Sequence, residues 1–336
     1  MKTGTIALIM ISLILPLSAT CLAEAIPNRQ HAQIDSAGLL LALKHSDENF
    51  KKDLSDIPAT RWYKRKNAVE QNGVALVIHG LNGRPDKMES IIAELTACGI
   101  DCLNLSLRGH GENYFPLEKT DSAGARMEAF KSVSYPLWKT EAYQAYQLVK
   151  KKGNLYGTPV FFVGFSMGGL LGVDLFASNP NVTFDKMVLF APAFKMRKRN
   201  NLLKLFSSFP RLVIPSMAHA SYLANSGTPM AAYNALFEMH DHLANNLDPK
   251  INVPTVIFID KQDELISFSG LQEMVRNQNL DQWKIHPVKK DSSATEIKMH
   301  HLIIDQASLG QQMWKEVADS TIMHLIEKPA ACMPIE

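Results

Sequence analysis

The sequence predicts an α/β fold: a mostly parallel sheet with helices on both faces and a small helical insertion over its rim. Three observations lead there. Runs of four to six β-branched and aliphatic residues recur from Val74 onward, as strands buried on both faces require. Segments with apolar residues at helical spacing separate these runs, and strands alternating with helices imply parallel pairing. The rhythm breaks once, over residues 194–250, where Lys, Arg, Ser, Asn and Met are frequent and Pro210, Pro215 and Pro229 interrupt a helical pattern.

In chain order, the first twenty-five residues read as a leader. Lys2 supplies the positive start, an apolar run from Ile6 to Leu17 follows, and Ala23-Glu24-Ala25 offers the small-x-small pattern that a signal peptidase reads. About a dozen apolar residues broken by Pro16 fall short of the roughly twenty that a membrane span needs. Cys21 offers a rival reading, lipid attachment, for which Thr20 and Ser18 are poor neighbours. The expectation is export to a bacterial periplasm or the medium, with mature residues from Ile26.

Residues 26–70 form a polar N-terminal extension with a helix and one or two edge strands. Residues 71–193 carry the first part of the core. Its expected elements are a strand at 74–78, a helix at 90–97 stopping at Gly99, a strand at 102–107 and a helix at 140–150. A strand at 160–163, a helix at 168–177 and a strand at 187–190 complete it. After the insertion at 194–250, the core resumes over 251–328 with a strand at 255–259 and a final helical pattern, and 329–336 is a tail. Of the cysteines beyond the leader, Cys98 and Cys102 flank Gly99 closely enough for either a disulfide or two buried thiols, and Cys332 lies in the tail. No Cys and His spacing suits a metal.

The chain has 336 residues, 46% of them apolar and 20% charged, which suits one large globular domain with a modest insertion. A formal net charge of +2 points to no nucleic acid or acidic polymer as partner.

The most specific signal is Val160-Phe161-Phe162-Val163-Gly164-Phe165-Ser166-Met167-Gly168-Gly169-Leu170-Leu171. It holds Gly-x-Ser-x-Gly directly after a strand and directly before a helix. A serine on so tight a turn projects its hydroxyl into a cleft, and the residues two before and two after crowd the turn until glycine alone fits easily. The helix that follows aims the positive end of its dipole at the same place. Upstream stand His79-Gly80-Leu81-Asn82-Gly83, after an apolar strand, and Arg108-Gly109-His110-Gly111.

On these motifs the chain resembles the α/β-hydrolase superfamily, from Val74 to about Leu325. Within it the chain is most similar to the monoacylglycerol lipase, lysophospholipase and bacterial carboxylesterase group. The resemblance implies the α/β-hydrolase fold and a serine hydrolase with Ser166 as nucleophile. It also implies the order serine, acid, histidine along the chain. The acid is expected just past a late strand, where Asp260-Lys261-Gln262-Asp263-Glu264-Leu265-Ile266 places Asp263 in the family's position, with Asp260 and Glu264 as rivals. Asp260 departs from the glycine that the family often has there. The base is expected before the last helix, in Met299-His300-His301. The family's spacing of five residues from histidine to aspartate selects His300, through Asp305, over His301. The oxyanion donors implied are the backbone N–H groups of Leu81 and Met167, while His79, His110, His219, His240 and His286 are expected to be structural or on the surface.

The expected reaction is cleavage of a carboxylic ester or thioester, lipid-like as in monoacylglycerols or lysophospholipids, through an acyl-enzyme and with no cofactor. An aminopeptidase-like peptidase, a thioesterase or an acyltransferase could share this machinery, and a binding protein of the same fold would have no reason to keep all three residues. Lys195-Met196-Arg197-Lys198-Arg199 precedes Leu202, Leu203, Leu205, Phe206 and Phe209 in the insertion. A basic cluster beside an apolar face can rest on anionic head groups, and it equally suits an ordinary cap with a solvated rim.

Overall fold

A computed structural model describes residues 60–66, 69–291 and 296–326. The chain divides into two units, Met1–Phe50 and Lys51–Glu336, and every described residue lies in the second. The expected leader, nearly all of the N-terminal extension, and the tail with Cys332 lie outside the described residues.

Seven strands make the main sheet. They are β1 (Thr60–Tyr63), β2 (Gly73–Ile78), β3 (Ile100–Leu105), β4 (Val160–Phe165), β5 (Lys186–Phe190), β8 (Thr255–Asp260) and β9 (Trp283–Val288), in the order β1-β3-β2-β4-β5-β8-β9. Only β1 runs antiparallel; every other neighbouring pair in this sheet is parallel. The side chains of each strand alternate between two cores. Leu76, Ile78, Phe162, Leu189 and Ile257 face one, and Ala75, Val77, Phe161, Val163, Phe190 and Phe258 face the other. All are buried, which is why these strands read as unbroken apolar runs.

Helices cover both faces. On the first lie α3 (Tyr135–Tyr156) and α4 (Met167–Ser178), with Trp138, Ala142, Leu171 and Leu175 in that core. On the second lie α1 (Glu89–Ala97) and α8 (Gln311–Leu325), with Ile91, Ile92, Leu95, Trp314, Val317 and Ile322. Two short helices, α2 (Ser122–Phe130) and α7 (Gln306–Leu309), flank α3 and α8 in sequence, and α6 (Phe268–Asn277) joins β8 to β9.

Several elements differ in extent from their sequence expectation. Gly99, at φ 82°, turns the chain out of α1 so sharply that β3 begins at Ile100, two residues before the expected strand. The helix expected over 140–150 runs over Tyr135–Tyr156, because the Ser134 hydroxyl caps it and Gly157 closes it at φ 63°. Strand β9 went unread: only Trp283 and Val288 of its six residues are buried, so its pattern is that of a half-exposed edge strand. Cys98 and Cys102 are both buried thiols.

The insertion between β5 and β8 begins with 3-10 turns over Lys198–Phe206 and a two-stranded ribbon of β6 (Val213–Pro215) and β7 (Gly227–Pro229). A 3-10 turn, Ala220–Tyr222, lies between the ribbon strands. The insertion then runs into α5 (Met230–Asn245), which packs on α4 and α3 through Ala231, Ala232, Ala235, Met239 and Leu243. No helix among the described residues is long and apolar enough to cross a membrane.

Candidate active site

Strand β4 delivers Ser166 to the carboxyl edge of the sheet, and α4 starts at the next residue. Ser166 takes φ 52° and ψ −115°, a conformation that a side chain rarely accepts and that the surrounding contacts enforce. Its amide donates to Phe190 O (2.8 Å) and its carbonyl accepts from Ala193 N (3.1 Å), so the tip of β5 holds the turn on both sides. A methyl on Gly164 would lie 2.6 Å from the Gly169 Cα, and one on Gly168 would press into the carbonyl oxygens of Ile78 and His79. The two glycines therefore let strand, helix and the end of β2 close around the serine.

His301 Nε2 lies 2.8 Å from Ser166 Oγ, and His301 Nδ1 lies 2.7 Å from Asp263 Oδ2. Those partners assign the proton on Nδ1 to the carboxylate and leave Nε2 free to accept from the hydroxyl. Asp263 and His301 are buried, and the Phe165 ring lies 5.2 Å from the imidazole. Burial by itself would raise the Asp263 pKa. The His301 imidazole, as charge and as hydrogen-bond partner, and the amides of Ile266 (2.8 Å) and Leu265 (2.7 Å) outweigh it and hold the carboxyl below its ordinary range. It is an anion at neutral pH, fit to hold one tautomer.

His300 is not the histidine at Ser166. Its Nδ1 lies 2.9 Å from Asp260 Oδ2, so the expectation that singled out His300 is off by one residue. The cause is Asp305. Rather than marking a fixed distance to the base, it caps α7 through Ser308 N (2.8 Å) and accepts from the Tyr222 hydroxyl (2.6 Å), four residues from His301. The rival acids have their own partners: Asp260 takes His300, and Glu264 accepts from the amides of His300 (3.0 Å) and His301 (3.1 Å).

Leu81 lines the same cavity as Ser166, and Met167 opens α4 directly after it. Gly80 lets the loop lie against the elbow, since a methyl there would be 2.8 Å from Phe165 Cδ1 and 3.2 Å from Ser166 Cβ. Two buried imidazoles fix this loop in a reciprocal clasp. His79 Nε2 accepts from Leu107 N (3.2 Å), and His110 Nε2 accepts from Asn82 N (3.1 Å), with the rings 4.5 Å apart. Each keeps its proton on Nδ1, facing Gly80 O for His79 and the Leu107 and Arg108 carbonyls for His110. Burial pushes His79 down to about 4, and His110 also lies well below its ordinary value through burial and its neighbour His79.

Sequence reasoning missed Asn82. Held at φ 52°, it donates to Ser216 Oγ (3.0 Å) and Asn225 O (3.1 Å) and accepts from Asn225 N (2.9 Å), tying the loop to the insertion. The one available signal was Asn-Gly at 82–83, which favours a left-handed turn.

A cavity of about 560 Å³ opens over Ser166 and His301. The insertion supplies Leu202, Leu203, Ile214, Leu236 and Phe237 to its wall, and the core adds Leu265, Ile266 and Leu302. Its described lining contains Arg84 and Lys87 and not one carboxylate. The described residues hold no group of three or more side chains placed to bind a metal. An arrangement of this kind can remove a hydroxyl proton toward an imidazole, hold the resulting imidazolium against a carboxylate, and receive a long apolar group.

The family described as "Serine aminopeptidase, S33" (Hydrolase_4) matches residues 69–235. No curated protein sequence matches the chain. Solved structures do. A soluble variant of monoglyceride lipase from Saccharomyces cerevisiae is 14% identical with a TM-score of 0.62, over 82% of this chain and 92% of its own. The work on the metagenome-derived lipolytic enzymes LipS and LipT includes a structure with 16% identity and a TM-score of 0.60, over 80% and 98%. The monoacylglycerol lipase of Paleococcus ferrophilus gives 14% and 0.56, over 80% and 98%.

Proposed function

We propose that this chain, whose fold is that of the α/β-hydrolases and is shared with monoglyceride lipases and esterases, cleaves lipid-like carboxylic esters through an acyl-enzyme on Ser166. One observation carries this reading: the unbroken line from Ser166 Oγ to His301 Nε2 (2.8 Å) and from His301 Nδ1 to Asp263 (2.7 Å). In the proposed cycle His301 takes the hydroxyl proton as Ser166 attacks the ester carbonyl, and Asp263 stabilises the imidazolium. The amides of Leu81 and Met167 receive the oxyanion, each worth a few kcal/mol in the transition state. His301 then protonates the leaving alkoxide and draws a proton from the water that releases the acid.

The cavity supports an acyl substrate over a peptide. An aminopeptidase must balance a substrate ammonium, for which a carboxylate is the natural partner. The described lining supplies cations and apolar groups instead. We also propose that the insertion rests on a lipid surface. Leu202, Leu205, Phe209 and Met217 are 63–76% exposed, and Lys195 and Lys198, exposed too, precede them in the chain.

The test is labelling with a fluorophosphonate, followed by turnover of p-nitrophenyl esters of graded chain length and of an aminoacyl anilide. The native chain should label and should prefer esters, and Ser166→Ala should lose labelling and nearly all turnover, by about four orders of magnitude or more. Full labelling of Ser166→Ala, or faster cleavage of the anilide than of every ester, rejects the reading.

A further inference from the structure

We propose that Glu264 and Lys290 are positioning residues that hold the main chain around His301 in register with Ser166. Glu264 is the residue after Asp263, and the two grip the same partner. Asp263 holds the His301 imidazole, while the Glu264 carboxylate accepts from the backbone amides of His300 (3.0 Å) and His301 (3.1 Å). Lys290 grips from the other side. Its Nζ donates to the carbonyls of Ile297 (2.9 Å) and Met299 (2.5 Å). An anion thus takes N–H groups and a cation takes C=O groups of one five-residue stretch, 297–301.

That stretch needs outside support. It lies between β9 and α7, outside the named strands and helices, and the bond from Leu302 N to Met299 O (3.2 Å) closes a turn at its end. A base carried on such a loop would wander, and an error of about 1 Å can cost on the order of a hundredfold in rate. Lys290 is 5% exposed, and burial pushes its ammonium down to about 8 against the pull of Glu264, Asp260 and Asp305. Keeping an ammonium there is costly, and an apolar residue would fill the space without that cost. The hydrogen bonds to the loop account for its presence. Asp260 adds a fifth hold, through the neighbouring His300 imidazole (2.9 Å).

The inference rests on His301 being the base, and the experiment separates the two. Glu264→Gln, Lys290→Met, the double variant and His301→Ala are prepared in the full chain. Each is assayed on a soluble short-chain ester, with active sites counted by fluorophosphonate and folding followed by thermal midpoint. Glu264→Gln should lose about 10- to 100-fold in kcat per labelled site, with KM within about twofold. Lys290→Met should lose about tenfold, and the double variant little more than the worse single, because both act on one loop. A merely structural pair would lower the midpoint and leave kcat per labelled site intact. A folded Glu264→Gln with native kcat overturns the proposal, as does failure of both single variants to fold. If only Glu264→Gln fails to fold, Lys290→Met decides by the same criterion. An active His301→Ala overturns instead the assignment of the base.

Discussion

At the residue scale, two adjacent histidines of identical chemistry are separated by their partners. His301 lies between Ser166 and Asp263, and His300 faces Asp260. His301→Ala should therefore lose at least about a thousandfold in kcat/KM and label slowly, because the hydroxyl has lost its proton acceptor. His300→Ala should keep kcat/KM within about tenfold, since it loses one of several holds on the loop. Kinetics at equal folded fraction decide, and the reverse ranking would reject the geometry. Ser166 and Asp263 were legible in the sequence because their surroundings are local: glycines two residues either side of the serine, and a strand running directly into the acid's loop. The base was not. Its register depends on Glu264 and Lys290, distant in sequence, and on Asp305 serving as a helix cap rather than as a ruler.

At the element scale, strands buried on both faces announced themselves by composition, and β1 falls where an edge strand was expected, whereas β9 has a half-exposed pattern that blends into a loop. The insertion was legible as a change of composition. Its ribbon was not, because three-residue strands leave no period to read. The exposed side chains of its 3-10 segment and of the turn after it carry the surface prediction. Leu205 is 76% exposed, Phe209 is 63% exposed, and neither lines the cavity. Replacing both by aspartate should weaken binding to anionic phospholipid vesicles by at least about tenfold, since each buried apolar side chain contributes roughly 2 kcal/mol. Turnover of a soluble short-chain ester should stay within about twofold. Unchanged vesicle binding, measured by sedimentation, would remove the lipid surface from the proposal.

At the scale of the whole molecule, the His79 and His110 clasp links the ends of β2 and β3 beneath the cavity. Both imidazoles accept hydrogen bonds through Nε2, so both must stay neutral. Burial lowers His79 from the ordinary 6.5 to about 4, and His110 moves in the same direction. In the unfolded chain both take up protons near pH 6.5, while the folded chain keeps His79 neutral until near pH 4 and His110 neutral well below 6.5. The unfolded state therefore binds more protons in that window, and stability present above pH 6.5 is lost as pH falls toward 4. Each group contributes a slope of up to about 1.4 kcal/mol per pH unit. Denaturant midpoints at pH 7, 5.5 and 4.5 should fall more steeply for the native chain than for His110→Gln; parallel curves would contradict the assignment. The sequence marked these two residues as structural without revealing that they exchange partners, because their contact closes only when the sheet forms.

The hydrogen bonds of Asn82 also hold one side of the cavity mouth. Movement of the 216–228 side would break the buried bonds to Ser216 and Asn225 and carry the Leu81 amide with it. The 198–212 side is tied to α5 by Met230 N to Leu212 O (2.8 Å), Ala231 N to Pro210 O (2.8 Å) and Asn234 Nδ2 to Ser207 O (2.9 Å), and at the surface by Lys204 to Asp241 (3.7 Å) and Arg211 to Glu128 (2.5 Å), pairs that salt weakens. A long apolar group passing Leu202 and Leu203 would therefore press on side chains of the insertion and meet the Asn82 loop already held by buried hydrogen bonds.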